Sequence, residues 1–115
     1  MAIKALTGLV PEWFTPSSEK EADSPARFKL KPLDSMQIVE IQNFHDETKG
    51  AVKAEGLYRA FELSLIDWEN VFDAQDRRLK PTRNNIKAIP IEIIAECGAH
   101  AITISYLTED DEKNS

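Results

Sequence analysis

Charged and apolar residues alternate strictly through Arg27-Phe28-Lys29-Leu30-Lys31. A period of two is the pattern of a half-buried strand, because successive side chains leave the backbone on opposite faces. Pro32, which has no amide hydrogen to donate, ends the strand. Asp34 with Gln37 three residues on has the form of a helix-capping pair, the carboxylate satisfying free amide donors of a first turn. Met36 to Phe44 is expected to be that helix, with a strand as the alternative for its core, Gln37-Ile38-Val39-Glu40-Ile41-Gln42. Gly50 to Gly56 reads as a soft boundary. From Leu57 the positions Leu57, Ala60, Phe61, Ser64 and Leu65 recur at helical spacing, with Arg59 and Glu62 on the other side. Ile66 to Asp73 reads as a turn with a short extended piece, and Ala74 to Arg83 as a charged loop.

The last helix has the clearest signature. Pro90 suits a first helical residue, where its missing amide hydrogen costs nothing. Ile91, Ile94, Ala95, Gly98, Ala101 and Ile102 form one apolar face. Ile93, Cys97, Ile104 and Leu107 form a second, leaving Glu92, Glu96, His100 and Thr103 as a narrow polar stripe. A helix apolar around most of its circumference needs cover on several sides. In so small a domain, part of that cover is expected from another chain.

At the N-terminus, Pro11 separates the apolar cluster Ala5 to Val10 from Trp13-Phe14, and the polar segment 16–25 reads as a mobile loop. After Leu107, Thr-Glu-Asp-Asp-Glu-Lys-Asn-Ser contains no core-forming residue and reads as a solvated tail. There is no internal repeat. The pattern predicts one α+β domain over residues 1–107, with an N-terminal β element and a mainly helical C-terminal two-thirds. A disordered acidic tail is expected over residues 108–115.

Composition narrows the function classes. The chain has 115 residues, is 42% hydrophobic and 30% charged, and carries 14 lysines and arginines against 20 aspartates and glutamates, for a net charge of −6. That is ordinary for one soluble globular domain. It disfavours non-specific attraction to nucleic acid, which needs a basic surface. The most apolar stretch, Ile86 to Leu107, is broken by Lys87, Glu92, Glu96 and His100, so no membrane span is expected. The first residues lack the basic start and apolar run of a signal peptide. The single cysteine, Cys97, excludes an internal disulfide. Together these features read as intracellular.

Candidate chemistry is sparse. Cys97 and His100 lie three apart on the last helix, within reach of one metal ion. Only His45, Asp46 and Glu47 are on hand to complete a set, and structural zinc generally requires four ligands. A nucleophilic Cys97 would need an accessible, activating environment, whereas it lies along an apolar face. The chain has no Gly-x-Ser-x-Gly elbow, phosphate loop or dinucleotide fingerprint, and its glycines are scattered at positions 8, 50, 56 and 98. Asp67, Glu69 and Asp73 surround Trp68 in turn-like sequence, where aspartate serves local hydrogen bonding. Arg77, Arg78, Lys80, Arg83 and Lys87 are either a solvated run or a contact surface for an acidic partner. Trp13-Phe14, two large aromatics beside prolines, are either a core edge or an interface anchor. No cofactor is expected.

Three segments resemble the small tail assembly chaperones of long-tailed bacteriophages and prophages. Arg27-Phe28-Lys29-Leu30-Lys31-Pro32-Leu33 is similar to that family's early Phe-x-Leu-x-Pro-Leu strand. Asp67-Trp68-Glu69-Asn70-Val71-x-Asp73 is similar to its Gly-Trp-x-Gly-Val-x-Asp motif, with Asp67 and Asn70 in place of the glycines. Leu107 to Ser115 is similar to its closing Leu-Ser/Thr-Glu-Glu-Glu-x-Lys-Asn-Ser. The resemblance spans residues 27–115 and leaves 1–26 uncovered. It implies a non-enzymatic protein of the host cytoplasm, absent from the finished virion. Such a protein binds the tape measure protein, and in some cases the tail tube protein, during tail assembly. The residues expected to serve as protein-binding anchors or their supports are Trp13, Phe14, Phe28, Trp68, Ile93 and Ile104, and a homo-oligomer is left open. Relatives are often made in two lengths by frameshifting, and Glu-Lys-Asn can be encoded with an adenine run before the asparagine codon. The alternative reading is a structural minor tail or neck protein, and a more distant one is a small metal-dependent enzyme built on His45, Cys97 and His100.

Overall fold

The structure, a computed structural model, describes residues 10–46 and 51–114. The alternating segment is the middle strand of a three-stranded antiparallel sheet. Its strands are β1 (Glu12–Phe14), β2 (Arg27–Leu30) and β5 (Leu65–Glu69), in the order β1-β2-β5. Phe14 pairs with Phe28, and Phe28 with Trp68, so these three aromatics stand on one face. Phe28 and Leu30 are buried while Arg27 and Lys29 stay half-buried on the other face, as the alternation requires. Phe28 meets Phe61 and Trp68 edge-on, with ring centroids 5.6 and 6.0 Å away. These geometries favour the positive ring edge against the negative face.

Helix α1 (Ser35–Gln42) forms where the capping pair lies. The Asp34 carboxylate accepts from the Gln37 amide at 2.8 Å, and the Gln37 side chain accepts from the Asp34 amide at 3.0 Å. Reciprocal capping satisfies two otherwise orphaned donors, which settles this segment as helix rather than strand. Ile38 and Ile41 turn inward, while Met36 and Val39 stay exposed. A two-residue pair, β3 (His45–Asp46) with β4 (Ala51–Val52), leads to α2 (Ala54–Ser64). Gly56 therefore lies inside the helix and is buried, so no boundary falls there. Gly50, the other end of that expected boundary, lies outside the described residues, as does the Ala5 to Val10 cluster except for Val10.

Helix α2 buries Ala60, Phe61 and Ser64 and packs chiefly on α4 (Ile91–Asn114). They come close at Gly98, where a β-carbon would stand 2.2 Å from the Leu57 carbonyl oxygen. The end of α2 is locked to β2. The Ser64 hydroxyl donates to the Lys31 carbonyl at 2.5 Å, and the Lys31 amide donates to the Ser64 carbonyl at 3.0 Å. The chain passes from Ser64 directly into β5, so the short extended piece expected after Ile66 is the sheet's third strand. A single turn, α3 (Arg83–Ile86), begins where the expected loop ends and is capped by Thr82.

Helix α4 starts just after Pro90, whose carbonyl accepts from the Ile93 and Ile94 amides. It buries one stripe, Ile94, Cys97, Gly98, Ala101, Ile104 and Ser105, rather than two full faces. Ile91, expected on a core face, is exposed because it precedes the crossing with α2. One further expectation differs. Segment 16–25 is tied down rather than loose: Pro16 is buried, and the Ser17 amide and hydroxyl both donate to Glu96 on α4. The Glu19 carboxylate also accepts from the Ala26 amide at 3.0 Å. The backbone of α4 continues as helix through Asn114. No proline or glycine follows Gly98 to stop propagation, and each added residue closes one more backbone hydrogen bond. Among the described residues, no helix is long and apolar enough to cross a membrane.

Candidate interaction site

Helices α1 and α4 both pack against α2 rather than closing on each other. Helix α1 is short and stops at Gln42, whereas α4 runs on, so a gap remains between them. The result is a solvent-open groove of about 610 Å³. Its floor is aliphatic, formed by Leu33, Ile38, Ile41 and Ile102, and its rim is polar, formed by Gln42, Asn43, His45 and Tyr106. The Gln42 amide donates to the Tyr106 hydroxyl across the mouth at a long 3.4 Å. Below the floor, the Ser105 hydroxyl accepts from the Leu33 amide and donates to the Ala101 carbonyl, both at 2.7 Å. These bonds hold the β2–α1 connection against α4 and fix the groove's inner wall.

Two other apolar side chains of α1 face solvent away from the groove floor. Val39 stands one turn before Gln42 on the same flank of α1, and Met36 one turn before Val39. They are 52% and 76% exposed, so neither contributes to the core. Both are among several exposed apolar side chains of the described residues, with Val10, Ile66, Phe72 and Ile91 elsewhere.

The anchors inferred from sequence fall into two sets. Phe28, Trp68 and Ile104 are buried, so they stand in the core as supports rather than as exposed contacts. The Trp68 indole donates to the Leu79 carbonyl at 2.8 Å, fastening the loop after β5 to the core. Phe28 and Trp68 are the centre of the core because β2 and β5 pair and turn them to the same side. Ile93 is half-buried against that cluster. Phe14 is half-buried too, and its ring stacks on His100 with centroids 4.2 Å apart. Trp13 alone of the four large aromatics is exposed, at 40%. It lies on the outer face of the sheet with the Arg27 guanidinium 5.4 Å and the Lys29 ammonium 5.9 Å from its ring. Both are cation–π distances.

The remaining candidates resolve into structural roles. Cys97 is buried in the core, and burial together with Glu96 pushes its thiol up to about 12, away from the thiolate needed for chemistry. His100 is occupied by Glu12, with Nε2 and Oε1 2.8 Å apart. Glu47 lies outside the described residues, and among those described no three His, Cys, Asp or Glu side chains gather to hold a metal. Asp73 accepts from the amides of Arg77 and Gln75 and pairs with the Arg77 guanidinium. The Arg77 amide bond, first of these effects, holds its carboxyl below the usual carboxylate range. Asp67 accepts from the Trp68 amide at 2.8 Å, and Glu69 pairs with Arg27.

The basic run divides among local partners. Arg77 faces Asp73, Arg78 covers the Phe72 ring, and Arg83 reaches Glu62 at 3.4 Å. Glu62 and Glu40 also bind Arg59, at 3.0 and 2.8 Å, raising its guanidinium above the ordinary value through the Glu40 hydrogen bond first. This network joins α1, α2 and α3.

The groove was not singled out from sequence. The nearest signal was the excess apolar surface of the last helix, which called for cover; half-buried Ile102 lies at the groove, whereas Ile91, exposed, is not part of its lining. Comparison with known proteins finds no matching family, no matching curated protein and no matching solved structure.

Proposed function

We propose that this chain is a non-enzymatic tail assembly chaperone of a long-tailed bacteriophage or prophage. In this reading it binds the tape measure protein in the host cytoplasm, with the tail tube protein as a second partner, and leaves before the virion is complete. The observation that carries the reading is the solvent-open aliphatic groove between α1 and α4. A long helical chain exposes apolar stripes until the tube encloses it, and uncovered stripes aggregate. A small acidic domain with an open aliphatic groove is suited to mask such a stripe reversibly.

Two details support the family resemblance. The alternating segment and the tryptophan motif, far apart in sequence, lie side by side as β2 and β5. Asn70, which stands where the motif has glycine, has a φ of 59°. Glycine is the default residue for that left-handed conformation, and asparagine is among the few others that adopt it readily. Its side chain also donates to the Pro25 carbonyl at 2.9 Å, compensating the strain.

The test is mass spectrometry of infected-cell lysate and of purified virions. The chain is expected in the lysate and missing from the particles. Its presence in particles at the level of other tail proteins would overturn the reading in favour of a structural tail or neck component.

A further inference from the structure

We infer that the loop after β5 and the helical turn that follows it form a docking surface for an acidic segment of another protein, whose carboxylates meet Arg78, Lys80 and Lys87 while an apolar side chain covers the Phe72 ring. This surface shares no residue with the groove between α1 and α4 and does not depend on the chaperone reading.

Charge is segregated here along the chain. The stretch from Arg77 to Lys87 carries Arg77, Arg78, Lys80, Arg83 and Lys87 and no aspartate or glutamate, in a chain of net charge −6. All five cations are exposed. The backbone beneath them is held in shape. Phe72 and Arg78 face each other in an antiparallel bridge, and the Leu79 amide donates to the Val71 carbonyl at 3.0 Å. Val71 and Leu79 pack on the core, which turns their neighbours Phe72 and Arg78 outward. The Asp73 carboxylate closes the tip of this hairpin by accepting from the Gln75 and Arg77 amides. The Asn85 side chain donates to the Lys80 carbonyl at 2.8 Å, tying α3 to the same loop. A surface ordered before binding loses less conformational freedom when a partner docks.

The partner's chemistry follows from which cations are already taken. Arg77 meets Asp73 and Arg83 meets Glu62, whereas Arg78, Lys80 and Lys87 have no acidic partner among the described residues. Arg78 lies over Phe72 with its guanidinium 5.4 Å from the ring centroid, and its donors remain able to take a carboxylate in two parallel bonds. Phe72 is 46% exposed, an apolar platform in the midst of the charge. Opposite charge steers an acidic segment to this loop, and a side chain laid on Phe72 adds contact that charge alone does not supply. Nucleic acid fits less well. With those five cations set aside, nine of the 14 lysines and arginines remain against all 20 aspartates and glutamates. A phosphate backbone that runs past so short a basic patch meets a surface that repels it.

The test uses the full chain and three labelled probes. The first is a synthetic peptide of about 12 residues, roughly 40 Å when extended, with aspartates and glutamates on either side of one leucine. The second is the same peptide with every acid replaced by its amide, and the third is a single-stranded oligonucleotide of matching charge. Fluorescence anisotropy at low salt is expected to show the acidic peptide bound at least tenfold more tightly than either. Lys80→Glu combined with Lys87→Glu is expected to weaken it at least tenfold, and Phe72→Ala severalfold. Lys20→Glu combined with Lys53→Glu makes the same change in net charge at exposed sites elsewhere and is expected to weaken it far less. Urea midpoints confirm that each variant is folded. Equal binding of the acidic and amide peptides, equal losses in the two charge-reversed variants, or an unaffected Phe72→Ala would overturn the inference. An oligonucleotide bound as tightly as the acidic peptide would also overturn it and assign the loop to nucleic acid.

Discussion

At Gly98 the chain has no room for even one more carbon, since a β-carbon there would meet the backbone carbonyl of Leu57. Alanine favours a helix interior over glycine by about 1 kcal/mol, so propensity alone makes Gly98→Ala stabilising. Overpacking against a backbone atom costs about 1–3 kcal/mol and outweighs it, because α2 must move away from α4 to relieve the contact. Gly98→Ala is therefore expected to lower the urea midpoint with the slope unchanged. An unchanged or higher midpoint would show that the helices part freely. Cys97, one residue earlier, gives a pH signature. Its thiol ordinarily ionises at 9.0 but is pushed up to about 12 in the folded chain by burial, aided by Glu96. The unfolded chain thus loses this proton first, so the contribution is complete below pH 9 and is lost as pH rises from 9 towards 12. The limiting slope is about 1.4 kcal/mol per pH unit. Urea midpoints at pH 8 and 10.5 are expected to fall further in the native chain than in Cys97→Ala. Equal falls would mean that the thiol ionises in place.

The elements form where local chemistry and tertiary packing agree. Asp34→Ala removes one half of the capping box and is expected to destabilise by about 1 kcal/mol, whereas Asp34→Asn, which keeps an acceptor, should cost far less. Equal losses in the two urea curves would show that the cap is not what fixes α1. Elements with such local signatures were legible in the sequence: β2 in its alternation, α1 in its cap, α2 in its spacing and α4 in its length. The start of α2 was missed because Gly56 resembles a boundary, although burial against α4 holds it in the helix. The sheet's third strand was read only as an extended piece, because of its residues just Trp68 is deeply buried and the rest depends on pairing with β2. The tethering of segment 16–25 was invisible, since the partner of Ser17 is Glu96, far away in sequence. The contact site shows the same division. Aromatic residues attract attention in a sequence, yet pairing of β2 and β5 places Phe28 and Trp68 inside, while the aliphatics Met36 and Val39 stay exposed. No local pattern distinguishes these aliphatics from the similar Ile38 and Ile41 one turn away.

For the molecule as a whole, the sheet, α2 and the inner stripe of α4 close one side, and the Arg59 network braces the helices from outside. Among the described residues, the groove between α1 and α4 remains open. The chain thus has apolar surface to offer a partner, while its buried thiol and its turn-bound Asp73 are committed to structure. The most direct test is to express the tape measure protein of the same genome alone and with this chain, and to measure the soluble fraction of the tape measure protein. The account expects it to be largely insoluble alone, and soluble and co-eluting in a defined complex with the native chain. Equal solubility with and without the native chain, with no co-elution, would contradict it.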